Sequence, residues 1–273
     1  MSRGVKTILL YALAVTGAVY ALTPLLWMLS ASLMPTGEAS AFPPPILPSS
    51  FTLEHYAALF QRLNLGRYFL NSLLIASLVT GISLLFNSMA GYAFAKFRFP
   101  GRTALFRFLI GALVIPVQVA MLPLFLLMKQ LGFINTYWGV VLPGVTTIFG
   151  IFLVRQFALS IPDDLLDAAR IDGASELGIY WRVVVPLCKP ILVTLAIFTF
   201  MAAWNDFMWP LIILSDNTMY TLPVALANMV GEHFQEVELM MAGSVLTVLP
   251  VLVLFMLLQR NYIEGIMLGS IKG

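Results

Sequence analysis

The chain has 273 residues, 60% of them hydrophobic and 10% charged, with a formal net charge of +2 and a mean hydropathy of +0.93. Soluble globular domains carry roughly 25% charged residues, so this composition excludes an ordinary water-soluble globule and points to a membrane protein. A charge this small argues against nucleic-acid binding, and the single cysteine, Cys188, excludes an intrachain disulfide and reads as a buried, inert thiol.

About 20 apolar residues cross a bilayer core, so charge-free runs locate the spans. The first, 8–33, follows Arg3 and Lys6 and exceeds the ~7–15 apolar residues of a signal peptide, so a retained helix is expected. Residues 39–53 are also uncharged, but Pro43, Pro44, Pro45 and Pro48 forbid a continuous helix and predict an external loop. The second span, 68–95, carries Ser77, Gly81 and Ser88 on one face, a pattern that permits close helix contact. In the third, 105–128, Pro116 and Pro123 predict two bends toward the same side. The fourth, 137–157, is expected to be interrupted at Pro143.

Ser160–Pro190 then breaks the pattern, with Asp163, Asp164, Asp167, Asp172 and Glu176 set against Arg170, Arg182 and Lys189. No lipid-facing span holds that many ionised groups. Ser160 is placed to cap a helix, Pro162 suits its first turn, and Asp163 and Asp164 favour its dipole. Gly173 ends that helix, and a second short helix follows. Leu165, Ala168, Ala169 and Asp172 share one face of low relief, which suits close approach of another surface. A loop helix packing along the membrane on its own protein would show the same periodicity.

The fifth span, 186–214, contains the one acid within a predicted span, Asp206, about 24 Å along the helix from Pro190 at 1.5 Å per residue. Trp204, Asn205, Asp206 and Trp209 combine indole faces with hydrogen-bonding groups, which suits the apolar C–H faces and hydroxyls of a sugar. The same residues also suit a snorkelling carboxylate and an interfacial aromatic belt. Asn71, Asn87 and Gln118 are expected to bond between helices. The sixth span, 239–259, contains Pro250, which like Pro210 in the fifth is expected to interrupt its helix; Asn261–Gly273 forms a cytoplasmic, flexible tail.

With the N-terminus inside, 12 lysines and arginines fall on the cytoplasmic side and three, Arg62, Arg67 and Lys129, outside. This bias places 160–185 and both termini in the cytoplasm. The expected fold is an all-α membrane protein, one transmembrane domain over 1–273 with a six-helix bundle. His55 and His233 fall in different external loops, no H-E-x-x-H or G-x-S-x-G motif occurs, and no Gly-Lys-Ser/Thr loop cradles phosphate. No catalytic residue, metal site or cofactor is therefore expected in this chain.

DAARIDGAS followed by VVVP, with GYAFAKFRFPGR at 91–102, PLFLLMKQLGFINT at 123–136, WNDFMWPL at 204–211, and MAGSVLTVLPVLVLFMLLQR at 241–260 with the ending GSIKG, resembles the permease subunits of carbohydrate ATP-binding cassette importers, in particular the maltose-type second permease with its EAA loop. Asp167 stands where that family usually has glutamate, and Val185-Pro186 where it has Leu-Pro. The resemblance implies a type I importer permease in a bacterial plasma membrane, moving a sugar or sugar-like solute by alternating access. It implies a loop in which Asp167, Ala168, Ala169, Asp172, Gly173 and Ala174 couple to two copies of a P-loop ATPase carrying ATP and Mg, a second and different permease, and an extracytoplasmic solute-binding protein. Two readings stand beside it. A secondary transporter or channel would need ionisable groups near the midplane, and a non-transporting scaffold leaves the charged loop without a role.

Overall fold

The computed structural model describes residues 3–61, 64–232 and 236–270, so His233 lies outside the described residues. In chain order the helices are α1 (Arg3–Ala31), α2 (Glu54–Gln61), α3 (Leu65–Lys96), α4 (Arg102–Ala112), α5 (Val117–Gln130), α6 (Tyr137–Val141), α7 (Ile148–Ala158), α8 (Asp163–Ile171), α9 (Glu176–Ile179), α10 (Val185–Leu187), α11 (Lys189–Trp204), α12 (Met208–Ile213), α13 (Leu222–Glu232) and α14 (Val237–Ser270). A π-helical turn, Tyr180–Val184, joins α9 to α10. Among the described residues every regular element is helical, as expected for a chain that must pair its backbone groups internally within hydrocarbon.

Among the described residues three helices are long and apolar enough to cross a membrane: 28 residues of α1, the 32 of α3 and 21 of α14. Three bent pairs bring the number to as many as six: α4 with α5 at 105°, α6 and its following turn with α7 at 41°, and the α9–α10 segment with α11 at 80°. Of the two prolines expected to bend the third span, only Pro116 marks a break. It stands extended at the start of α5 (φ −62°, ψ 132°), and a proline forces the preceding residue out of helical conformation. Pro123 sits inside α5, and Pro250 inside α14, without ending either helix. Pro210 lies in the first turn of α12, where backbone N–H groups lack helical partners anyway; the fifth span breaks instead at Cys188, with the 80° bend, and again at Asn205–Phe207. Helix α14 continues to Ser270, so most of the expected flexible tail is helical.

The chain divides into two compact units, Met1–Arg67 with Leu222–Pro250, and Tyr68–Thr221 with Val251–Gly273. In the first, the proline-rich segment after α1 folds back on that helix, with Trp27 Nε1 donating to the Pro45 carbonyl at 3.1 Å and Ser30 to Ile46 at 2.6 Å. His55, expected in a loop, is buried in α2, with Nε2 2.9 Å from the Met34 carbonyl. In the second unit, α3 is tied to other segments through two asparagines. Asn87 accepts from the Thr147 amide at 3.0 Å, and its own amide nitrogen reaches Ser83 Oγ at 2.7 Å and Thr147 Oγ1 at 3.3 Å. Asn71 donates to the Thr218 and Tyr220 carbonyls and accepts from Tyr137. Asn71 and Asn87 thus bond as expected, whereas Gln118 is exposed.

Of the three residues expected to permit close helix contact, only Ser88 is buried, its hydroxyl meeting that of Tyr180 at 2.6 Å. Ser77 and Gly81 are exposed, with open space around Gly81, while a Cβ on Gly91 would lie 2.7 Å from Val154 Cβ and 2.9 Å from the Arg155 amide. Gly91→Val should therefore cost about 1–3 kcal/mol by overpacking the α3–α7 crossing. Thermal unfolding of the purified chain in detergent is expected to show a lowered midpoint for Gly91→Val and none for Gly81→Ala; equal midpoints for the two variants would contradict the packing.

Candidate functional site

The charged loop folds as α8, a tight turn and α9. Pro162 occupies the capping position of α8 without a side-chain bond, and Asp163 and Asp164 fill its first turn. Ser160, expected to cap it, instead donates to the Phe157 carbonyl at 2.7 Å and closes the end of α7. The far end is a Schellman motif: the Ala174 amide donates to Ala169 O and the Gly173 amide to Arg170 O, both at 3.0 Å. Gly173 has φ +81°, a left-handed conformation that costs other residues roughly 1–2 kcal/mol. Ser175 then caps α9, accepting from the Gly178 amide at 3.2 Å.

Two faces of α8 separate. Leu166 is buried beside Tyr92, Ala158, Ile161 and Ile179, and the half-buried Ala169 and Ala174 pack on the same cluster. Leu165, Ala168, Asp172 and Gly173 are exposed, and Ile171 is 87% exposed. Ala169 therefore belongs to the seam of the core rather than to the open face, because each residue turns 100° from the last. Asp167 is engaged within the loop. Arg170 donates Nη1 to Asp167 Oδ1 at 2.6 Å, and Nε and Nη2 to the two Glu176 oxygens at 2.7 and 3.3 Å. One guanidinium thus bridges α8 and α9 across the Gly173 turn, in the forked geometry that arginine alone offers.

The loop is fastened to α3 at two points. Lys96, its side chain 8% exposed, gives its ammonium to the Ile161 carbonyl at 2.5 Å and Asp163 Oδ1 at 2.6 Å. Further along, the Ser88 and Tyr180 hydroxyls meet at 2.6 Å, both residues buried.

Toward the other end of α3 lies a cavity of about 540 Å³. Ile75 and Val79 of α3, Met121 of α5, Thr147 and Phe149 at the start of α7, Phe198 and Thr199 of α11, Asp206 and Trp209 line it, among other apolar groups. Asp206 lies in the break between α11 and α12, where its carboxylate accepts from the Trp209 amide at 3.4 Å. Trp209 donates its indole N–H to the Gly139 carbonyl at 3.0 Å and, though only 7% exposed, contributes to the cavity lining. Of the four residues proposed from the sequence, the structure brings only these two to the cavity. Trp204 is 1% exposed, stacked on Phe200 at 5.8 Å and edge-on to Phe69 at 5.4 Å, and is a core residue. Asn205 turns back on its own helix, donating to the Met201 carbonyl at 2.8 Å. The threonines and phenylalanines of the lining lacked any sequence signal, since they look like other span residues until the helices are assembled. Among the described residues no three His, Cys, Asp or Glu side chains gather to hold a metal.

A family model described as the binding-protein-dependent transport system inner membrane component matches residues 87–266, which include α8, α9 and most of the cavity. The chain belongs to this family. The arabinooligosaccharides transport system permease protein AraQ of Halalkalibacterium halodurans is 39% identical over 94% of this permease and 93% of its own length. Among solved structures, a bacterial ABC transporter involved in import of the acidic polysaccharide alginate superposes with a TM-score of 0.85 at 24% identity, covering 95% of this permease and 98% of that chain. A bacterial alginate ABC transporter in complex with an alginate pentasaccharide-bound periplasmic protein gives 0.67 at 14% identity, covering 94% and 96%. The resemblance to carbohydrate importer permeases read from the sequence holds, and so does the type I importer permease fold.

The permease's loop carries a consequence for pH. The hydrogen bond from Lys96 holds the Asp163 carboxyl below the usual carboxylate range. A depressed folded-state value means that the pair's contribution is fully present above the ordinary aspartate pKa of about 3.9 and is lost as pH falls through the lower folded value. Asp163→Asn, which imitates the protonated group at every pH, is expected to speed amide hydrogen exchange across 161–168 at neutral pH. Exchange indistinguishable from the native permease there would remove the pair from the loop's support.

Proposed function

We propose that this chain is one of two permeases of a binding-protein-dependent importer, and that it moves a sugar or sugar-like solute across a bacterial plasma membrane by alternating access. A P-loop ATPase, present in two copies and carrying ATP and Mg, docks on the outward face of α8 formed by Leu165, Ala168, Asp172 and Gly173. Asp167 and Ala174 shape that surface from within the loop. A second, different permease completes the path, an extracytoplasmic protein delivers the solute, and both termini lie in the cytoplasm, in keeping with the charge bias of the loops. The six spans at about 8–33, 68–95, 105–128, 137–157, 186–214 and 239–259 form a single permease domain over 1–273. The likeness to AraQ supports the sugar, and the alginate transporter complexed with its periplasmic protein supports the delivery partner.

The observation that carries this reading is the continuity of α3. One helix is held by the loop through Lys96 and Ser88 and lines the cavity with Ile75 and Val79. A displacement of α8 by a bound ATPase is thereby applied to the cavity wall. Nucleotide drives the cycle only if the ATPase holds the loop differently in the two states, because a ligand shifts an equilibrium by its differential affinity alone. Hydrolysis then returns the cavity to its inward-facing state.

Ala168 tests the docking face, since its side chain is exposed and takes no part in the loop's own bonds. Mass spectrometry of material co-purified with the chain in mild detergent is expected to show a P-loop ATPase and a second permease. In Ala168→Glu the ATPase should fall at least about tenfold while the second permease stays, roughly the effect of one unpaired charge at an interface worth ~1.4 kcal/mol. An ATPase retained in full by Ala168→Glu would place the docking surface elsewhere.

A further inference from the structure

We infer that the cavity beside Asp206 admits uncharged solutes and turns away anionic ones, so that the substrate is a neutral sugar or polyol rather than a uronate oligomer or a sugar phosphate. The inference rests on the substrate-path reading above and narrows its chemical class. None of the residues lining the cavity is lysine, arginine or histidine, and the one ionisable lining group is the Asp206 carboxylate. No basic side chain pairs with Asp206 among the described residues, and its bond to the Trp209 amide leaves the carboxylate facing the cavity. The walls are otherwise apolar apart from the threonine hydroxyls of Thr147 and Thr199. Low-dielectric walls concentrate the field of a single charge, so a second negative charge in this space meets a repulsion that bulk water would screen.

The remaining groups fit a neutral sugar. Trp209, Phe149 and Phe198 offer apolar surface to its C–H groups, Thr199 and Asp206 offer oxygen atoms to its hydroxyls, and Thr147, whose Oγ1 already accepts from the Gly150 and Asn87 N–H groups, offers its O–H. An acidic sugar would need cations to replace its hydration, and the described lining of this cavity holds none. The alginate transporter that shares the fold imports an acidic polysaccharide, so the architecture itself does not impose the restriction. It resides in the side chains at the cavity wall.

The test reads the charge preference of the cavity without knowing the sugar. Ala202, which lines the cavity four residues before Asp206, is replaced by cysteine in a Cys188→Ala background, within the importer assembled from this chain and its co-purifying partners. Labelling of this chain is followed by mass with three methanethiosulfonates: methyl (neutral), aminoethyl (cationic) and sulfonatoethyl (anionic). Each rate is divided by that reagent's rate with free mercaptoethanol. The cationic reagent is expected to outpace the anionic one at least about tenfold, and Asp206→Asn should bring the ratio close to one. Equal rates with all three reagents would overturn the charge selection while leaving the path intact. Failure of the neutral reagent to reach either Ala202→Cys or a second reporter, Thr199→Cys, would overturn the path reading, and this inference with it. A cationic preference that survives in Asp206→Asn would assign the selection to another group and refute the role of Asp206.

Discussion

A lysine whose side chain is only 8% exposed cannot leave its ammonium without partners, and Lys96 meets that constraint with the Ile161 carbonyl and the Asp163 carboxylate. The arrangement of the second unit follows from this attachment. It places the start of α8 against the end of α3, which in turn lets Leu166 fill the space among Tyr92, Ala158 and Ile179. With Leu166 turned inward, helical geometry turns Leu165, Ala168 and Asp172 outward. An open, nearly flat face thus results from a buried charge being satisfied on the opposite side.

The loop's rigidity comes from short-range chemistry layered on that anchor. The Schellman turn at Gly173 fixes where α8 stops, Ser175 fixes where α9 starts, and Arg170 bridges the two. Exposed ion pairs individually contribute only about 0–1 kcal/mol, so Arg170 matters less as a source of stability than as a geometric tie. In the proposed docking role the loop has to transmit displacement, and a turn that bent freely would absorb it. The Ser88–Tyr180 contact adds a second attachment, on the π-helical turn where the loop re-enters the bundle. Such turns mark places where a helix accommodates an extra residue and are frequent at functional positions.

The cavity depends on a different kind of irregularity. The fifth span is broken at Asn205–Phe207, and this break lets a carboxylate stand at the wall instead of on the flank of a continuous helix. Irregular backbone at membrane depth is tolerated where it lines a cavity, because polar groups there have partners other than lipid. Asp206 and Trp209 share the space because α12 restarts immediately after the break, while Trp204, at the end of α11, faces the packed side of the bundle. A uniform helix through this region would have grouped the four residues differently.

Composition and local pattern by themselves determined that this is an all-helical membrane chain, that a charged segment interrupts its spans at Ser160–Pro190, and that a glycine with positive φ ends the helix there. These properties depend on neighbours within a few residues or on transfer between water and lipid, so they are present in the linear order. The segments resembling importer permeases carried the family for the same reason, being local strings. Only the tertiary structure decided that Ala169 faces the core while Ala168 faces out, that Gly91 rather than Gly81 is the close contact, and that Trp204 is buried while Trp209 meets a cavity. Each depends on which of two equally apolar helix faces meets another helix. In a chain whose spans are apolar all round, hydrophobic periodicity does not distinguish those faces, and packing between residues distant in sequence has to choose between them.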